Sequence, residues 1–194
     1  MQKKYWFFGL IALIALFVFS GINSIPTMDE KVTASWAQVQ SQYQRRLDLI
    51  PNLVNTVKGY ATHESSTLEN VTNARANATK VTINAGDLAN NPEAMAKFEQ
   101  VQGELSSALS RLLAVSENYP NLKADQNFMA LQSQLEGTEN RIAVARKDYI
   151  ETVQLYNTMV RTFPGRIWAW IYGAEVKPSF TAASEADKAP VVKF

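Results

Sequence analysis

Two hydrophobic patterns divide this chain. Residues 6–19 are almost wholly apolar, and no charge falls between Tyr5 and Met28. Beyond Ile25-Pro26 the run gives way to apolar residues at three- and four-residue steps with polar residues between, the stripe of an amphipathic helix. Val32, Trp36, Val39, Tyr43 and Leu47 begin it, and Leu53, Val54, Val57, Tyr60, Leu68, Val71, Ala74 and Ala78 carry it past Pro51. A proline inside a helix either kinks it or opens a new one at its first turn. Residues 48–53 contain no glycine and few spare positions, so the pattern predicts one kinked rod reaching about residue 82.

A turn follows at residues 84–91, which include Gly86, and Asn91-Pro92 then has the form of a helix start: a capping side chain before a proline at the first helical position. Met95, Phe98, Leu105, Leu109 and Leu112 share one face of the next helix, which should stop near Asn118 ahead of Tyr119-Pro120. The last long helix has the strongest periodicity. Phe128, Leu131, Leu135, Thr138, Ile142, Ala145, Tyr149, Thr152, Tyr156, Met159 and Phe163 alternate three- and four-residue steps, the seam of coiled-coil-like packing, until Pro164-Gly165 ends it. An aromatic block, Arg166-Ile167-Trp168-Ala169-Trp170-Ile171-Tyr172-Gly173, and a polar tail ending in Val191-Val192-Lys193-Phe194 complete the chain.

The expected fold is all-α: an N-terminal transmembrane helix followed by an antiparallel bundle of three to four long helices. Residues 1–4 form a cytoplasmic N-terminus, 5–25 the anchor, 28–163 the exported bundle, and 164–194 a short aromatic helix with an extended tail. The apolar stretch with its flanks can cross a hydrocarbon core of about 30 Å. Lys3 and Lys4 before it, with Asp29 and Glu30 after, set the N-terminus in the cytoplasm and export the rest. A cleaved leader is the rival reading, with Val18-Phe19-Ser20 as the cleavage region, but the stretch exceeds the usual leader core of about 7–15 residues. Helix parity decides where the aromatic block ends up. A merely kinked first rod makes three helices and leaves Phe163 far from the membrane, whereas a break makes four and returns it.

Charge and chemistry narrow the function classes. With 19 basic and 18 acidic residues there is no field to attract nucleic acid, and the absence of cysteine removes disulfides, thiolate metal sites and lipid attachment. A di-iron bundle needs two Glu-x-x-His pairs. His63 is the only histidine, so no such site can be built, and no metal or cofactor is expected. Glu139 and its neighbours could pair with Arg45, Arg46, Asp48, Arg75 or Arg111 between helices, although such charges are usually solvated faces. No catalytic residues are assigned. The aromatic block is the better functional candidate, as a bundle cap, a membrane contact or a subunit interface. The kinked rod favours the last of these, with Trp168, Trp170, Ile171, Tyr172, Phe180 and Phe194 as interface residues.

Several runs resemble the LemA family of bacterial membrane-anchored helical proteins. They are Gln44-Arg45-Arg46-Leu47-Asp48-Leu49-Ile50-Pro51-Asn52-Leu53-Val54 with Val57-Lys58-Gly59-Tyr60-Ala61 and His63-Glu64; Glu104-Leu105-Ser106-Ser107-Ala108-Leu109-Ser110-Arg111-Leu112; Tyr119-Pro120-Asn121-Leu122-Lys123-Ala124-Asp125; residues 136–149; Tyr156-Asn157; and Phe163-Pro164-Gly165. The resemblance implies a membrane segment, an exported helical bundle and no known catalysis, with members associated with the cell envelope and a magnetosome relative implicated in membrane organisation. Ser20-Gly21 stands where lipoprotein-like relatives carry cysteine, and Ile150 where the family often has asparagine. The expected role is a non-enzymatic scaffold in the inner membrane, held by membrane lipid and forming a homo-oligomer. The alternative is an adaptor that binds another membrane protein or an envelope enzyme.

Overall fold

The computed structural model describes residues 5–6, 9–13, 16, 21–61, 63–81 and 91–180. Among them every regular element is helical: α1 (Ser24–Tyr60), α2 (Ser65–Lys80), α3 (Pro92–Ser116), the single turn α4 (Pro120–Lys123), α5 (Gln126–Arg161) and α6 (Gly165–Tyr172). Of the predicted anchor, residues 5–6, 9–13, 16 and 21 are helical, and the other positions before residue 21 lie outside the described residues. No helix among the described residues is long and apolar enough to cross a membrane.

The bundle runs up, down, up and down. α1 rises as a continuous 37-residue helix with Pro51 inside it, about 55 Å at 1.5 Å per residue. Its stripe is buried as expected from Val32 through Leu47 and on to Leu53 and Val57. The rod does not continue to residue 82. It ends at Tyr60, and after a connection at residues 61–64 α2 folds back along it, so that Arg75 meets Leu47. Residues 61–67 carry no apolar side chain larger than that of Ala61, so one full turn and more would have no face to bury. The break is therefore after Pro51, where the stripe fails.

Pro51 is tolerated because its cost is met from another helix. Proline lacks the N–H that would bond the carbonyl four residues earlier, which is that of Leu47. The Arg75 Nε–H of α2 donates to that oxygen at 3.0 Å. The same bond fixes the register of α2 against α1.

α3 begins as expected, with the Asn91 side chain accepting from the Ala94 N–H at 2.9 Å. Asp125 caps α5 in the same way at Phe128, and Tyr60 donates to its other carboxylate oxygen at 2.9 Å. Predicted seam positions Phe128, Leu135, Thr138, Ile142, Ala145, Tyr149 and Tyr156 are buried. Towards the end of α5 the seam shifts by one position: Val153 and Val160 are buried, Thr152 and Met159 only half-buried, and Phe163 is 78% exposed. A straight helix at 3.6 residues per turn drifts by roughly 20° per heptad from a strict seven-residue seam, and the drift accumulates along 36 residues.

α2 and α3 are shorter than α1 and α5. They cover the rods from their tips down to about Trp36, which packs on Phe98 of α3. Below that level α6 and the extended residues 174–180 complete the core, joining Ile25, Met28 and Val32 with Val153, Tyr156 and Val160. A helix parity of four thus returns the chain to the start of α1. The expectation that the aromatic block lies at the far end is reversed.

Candidate functional site at the base of the bundle

α6 sits across the foot of α1. Trp168 and Ala169 face inward, Trp168 only 5% exposed, and the indole lies so close to Gly21 that any side chain there would overlap it. The Tyr172 hydroxyl donates to the Ile22 carbonyl at 2.8 Å. Gly165 opens α6 where a Cβ would collide with the Met159 carbonyl, and Gly173 ends it in the left-handed conformation at φ 62°, the usual glycine stop.

Residues 174–180 then run back over the rods, held at three levels. Asn157 brackets the backbone of Lys177, its Nδ2 donating to the Lys177 carbonyl and its Oδ1 accepting from the Lys177 N–H, both at 2.8 Å. The buried Lys177 ammonium reaches Asp29 on α1 at 2.6 Å and lies over the Tyr156 ring. Higher up, the Tyr149 hydroxyl donates to the Pro178 carbonyl at 3.1 Å, and burial pushes that phenol up to about 12. It therefore remains a neutral donor through the physiological range. Phe180 closes the strap by entering a cluster with Trp36 and Tyr149, with centroids 6.0 and 5.6 Å away, while the Arg146 guanidinium covers its outer face at 4.3 Å.

Of the six proposed interface residues, Trp168 and Phe180 are packed into the protomer's own core, 5% and 8% exposed. Trp170, Ile171 and Tyr172 are exposed, and Phe194 lies outside the described residues. The sequence pointed to an extended tail with Phe180 in a contact, but not to its fastening on α1 and α5. Its signal was the Tyr156-Asn157 pair, since an asparagine beside a seam aromatic can bond an extended backbone through both faces of its amide.

A second polar constellation lies midway up the bundle. Arg46, 1% exposed, donates through Nη1 to Glu139 at 3.0 Å and to Ser106 at 2.9 Å, and through Nη2 to the carbonyl and side-chain oxygens of Gln102. Its guanidinium also lies 5.0 Å from the centre of the Tyr43 ring. Arg46 is therefore no solvated surface charge. Burying an arginine costs desolvation that one ion pair barely offsets, so the contribution is to register: sliding α5 by a turn would leave the charge without Glu139. Arg46 sits three residues after Tyr43 and four before Ile50, a seam position readable from the stripe. Among the described residues no group of three His, Asp or Glu side chains comes together as a metal-binding set.

A model of the LemA family matches residues 35–194, which include Arg46, Tyr149, Asn157, Lys177 and Phe180. The chain is similar to the magnetosome protein MamQ 2 of Paramagnetospirillum magneticum, 25% identical over 181 residues, covering 85% of this chain and 66% of the relative. The magnetosome protein MamQ of Magnetospirillum gryphiswaldense is 24% identical over 166 residues, 78% of this chain and 61% of the relative. Protein LemA of Metamycoplasma hominis is 22% identical over 166 residues, 84% of this chain and 71% of the relative. The chain thus spans just under two thirds of the length of these magnetosome relatives.

Proposed function

The chain belongs to the LemA family, and from that premise we propose that it is a membrane-anchored, non-enzymatic scaffold of the cell envelope whose exported helical bundle self-associates. The observation that supports this most is the course of α1. It rises unbroken from the foot of the apolar stretch to the tip of the bundle, while Tyr5, Trp6, Leu10, Ile11, Leu13 and Leu16 of that stretch are all exposed. Side chains of that kind, uncovered by the other described residues, find in a lipid bilayer the apolar surroundings that water denies them. The rod then holds the bundle at a fixed height above that bilayer. Likeness to two magnetosome proteins, and to a protein named LemA from another organism, fits a structural role in an envelope or organelle membrane.

Mass photometry of the full chain after mild detergent extraction tests the scaffold directly. A single large assembly is the expected result. A lone protomer that co-purifies with another membrane protein would replace the scaffold with the adaptor reading.

A further inference from the structure

The outer face of α6 is a second apolar surface, distinct from the N-terminal stretch. Ile167, Trp170 and Ile171 stand at steps of three and one, on the side opposite the buried Trp168 and Ala169, and Phe163, just before the helix, is exposed as well. Trp170 is 83% exposed and Ile171 56%. Exposing a tryptophan, a phenylalanine and two isoleucines together in water is costly, and such patches mark a contact.

We propose that this face lies in the headgroup layer of the same membrane that the N-terminal stretch enters, so that the bundle stands on its lipid at two points. The proposal rests on the anchored reading above and adds to it an orientation. Position argues for lipid over a second copy. α6 is fastened to Gly21 and Ile22, the residues through which the apolar stretch joins the bundle, so its outer face stands at the end of the bundle where that stretch, with its exposed Tyr5, Trp6, Leu10, Ile11, Leu13 and Leu16, meets it. Its composition fits as well: tryptophan and tyrosine are favoured at the membrane–water boundary, and the exposed Arg161 and Arg166 flank the face where anionic headgroups would lie. The strap at Asn157 and Lys177 prevents α6 from swinging away, because residues 174–180 are tied to both rods.

The absence of cysteine permits a clean test. Ile171→Cys and, separately, Val144→Cys on the exposed middle of α5 would each carry a nitroxide, in the full chain reconstituted into vesicles of phosphatidylethanolamine and phosphatidylglycerol. Flotation of the chain with the vesicles reports the anchor, and relative collision with oxygen and with a water-soluble nickel chelate reports depth. The expected result is a several-fold higher oxygen-to-nickel ratio at 171 than at 144. A chain that floats but shows equal ratios overturns the lipid contact and leaves the anchor intact. A chain that does not float removes both. Spin–spin broadening at 171 that dilution with unlabelled chain abolishes would assign the face to a second copy and also overturn the proposal. Trp170→Cys repeats the measurement one position away, so that a local disturbance by one label does not decide the result.

Discussion

The upper and lower halves of this bundle are built on different principles, and the Arg46 layer separates them. Above it the core is Leu47, Ile50, Leu53, Val57, Leu105, Leu109, Leu112 and Leu135 with their neighbours, almost wholly aliphatic, and covered by four helices. Below it the core is Trp36, Tyr43, Phe98, Tyr149, Tyr156, Trp168 and Phe180, and the cover passes from the start of α3 to a short helix and an extended strap fixed by Asn157 and Lys177. Aliphatic cores tolerate repacking as long as volume and pattern are kept. Aromatic clusters with polar handles are directional, and each buried hydroxyl or amide must find its partner. The upper half therefore supplies length and general stability, whereas the lower half specifies how residues 165–180 dock beside the start of α1.

The sharpest way to break this contrast is at Trp36, which touches Phe98, Tyr149 and Phe180 at once. Trp36→Ala should cost about 3–5 kcal/mol and release the strap, seen as faster amide hydrogen exchange across residues 168–180. Leu112→Ala, a comparable loss of about 2–5 kcal/mol in the upper core, should leave exchange in that segment unchanged. If both substitutions loosen the strap equally, the halves are not independent.

Two smaller changes probe the polar fastenings of each half. Below, Asn157→Ala removes a donor and an acceptor from the Lys177 backbone and should cost about 1–3 kcal/mol, with limited proteolysis appearing first in residues 174–180. Above, Arg75→Met leaves the Leu47 carbonyl without its donor, again about 1–3 kcal/mol. That loss should shrink when Pro51→Ala is made as well, since an alanine N–H can bond Leu47 directly. Equal losses in both backgrounds, measured by urea unfolding, would separate Arg75 from the proline.

The smallest effect is expected at the tip. Asp125 is held below its ordinary value of 3.8, first by the Phe128 backbone N–H and then by the Tyr60 hydroxyl. A carboxyl depressed on folding contributes stability above the unfolded value and loses it as pH falls through the folded one. Asp125→Ala should accordingly lower the melting temperature slightly near neutrality and less and less as the pH falls below 3.8. A gap that persists undiminished in acid would mean the cap works through shape alone.

Much of this arrangement is written in the stripe, and what is not has physical reasons. The Asn91 cap, the α3 face and the early seam of α5 are local patterns and stand where periodicity puts them. The hairpin at residues 61–64 was also legible, as a gap in large apolar residues from 61 to 67, but Pro51 drew attention to a residue whose lost bond Arg75 makes good. That partner is 28 residues away, and no local rule reveals it. The strap's fastening was illegible for a related reason: residues 174–180 carry no periodicity, and their place is fixed by side chains of α1 and α5. Expecting a kink in place of this one break changed the parity of the bundle and moved the aromatic block from one end to the other.

That parity is the point on which the account stands, and one distance measures it. Nitroxides at Glu30→Cys near the start of α1 and Ile171→Cys on α6, in the otherwise cysteine-free chain, can be compared by double electron–electron resonance. The return of α6 to the foot of α1, where Trp168 packs at Gly21, predicts a separation below about 25 Å, since Glu30 stands only roughly 13 Å along the rod from Gly21 at 1.5 Å per residue. A distribution centred beyond about 50 Å would place the aromatic helix at the far end of an unbroken rod, as three helices require, and would contradict the fold and everything drawn from it.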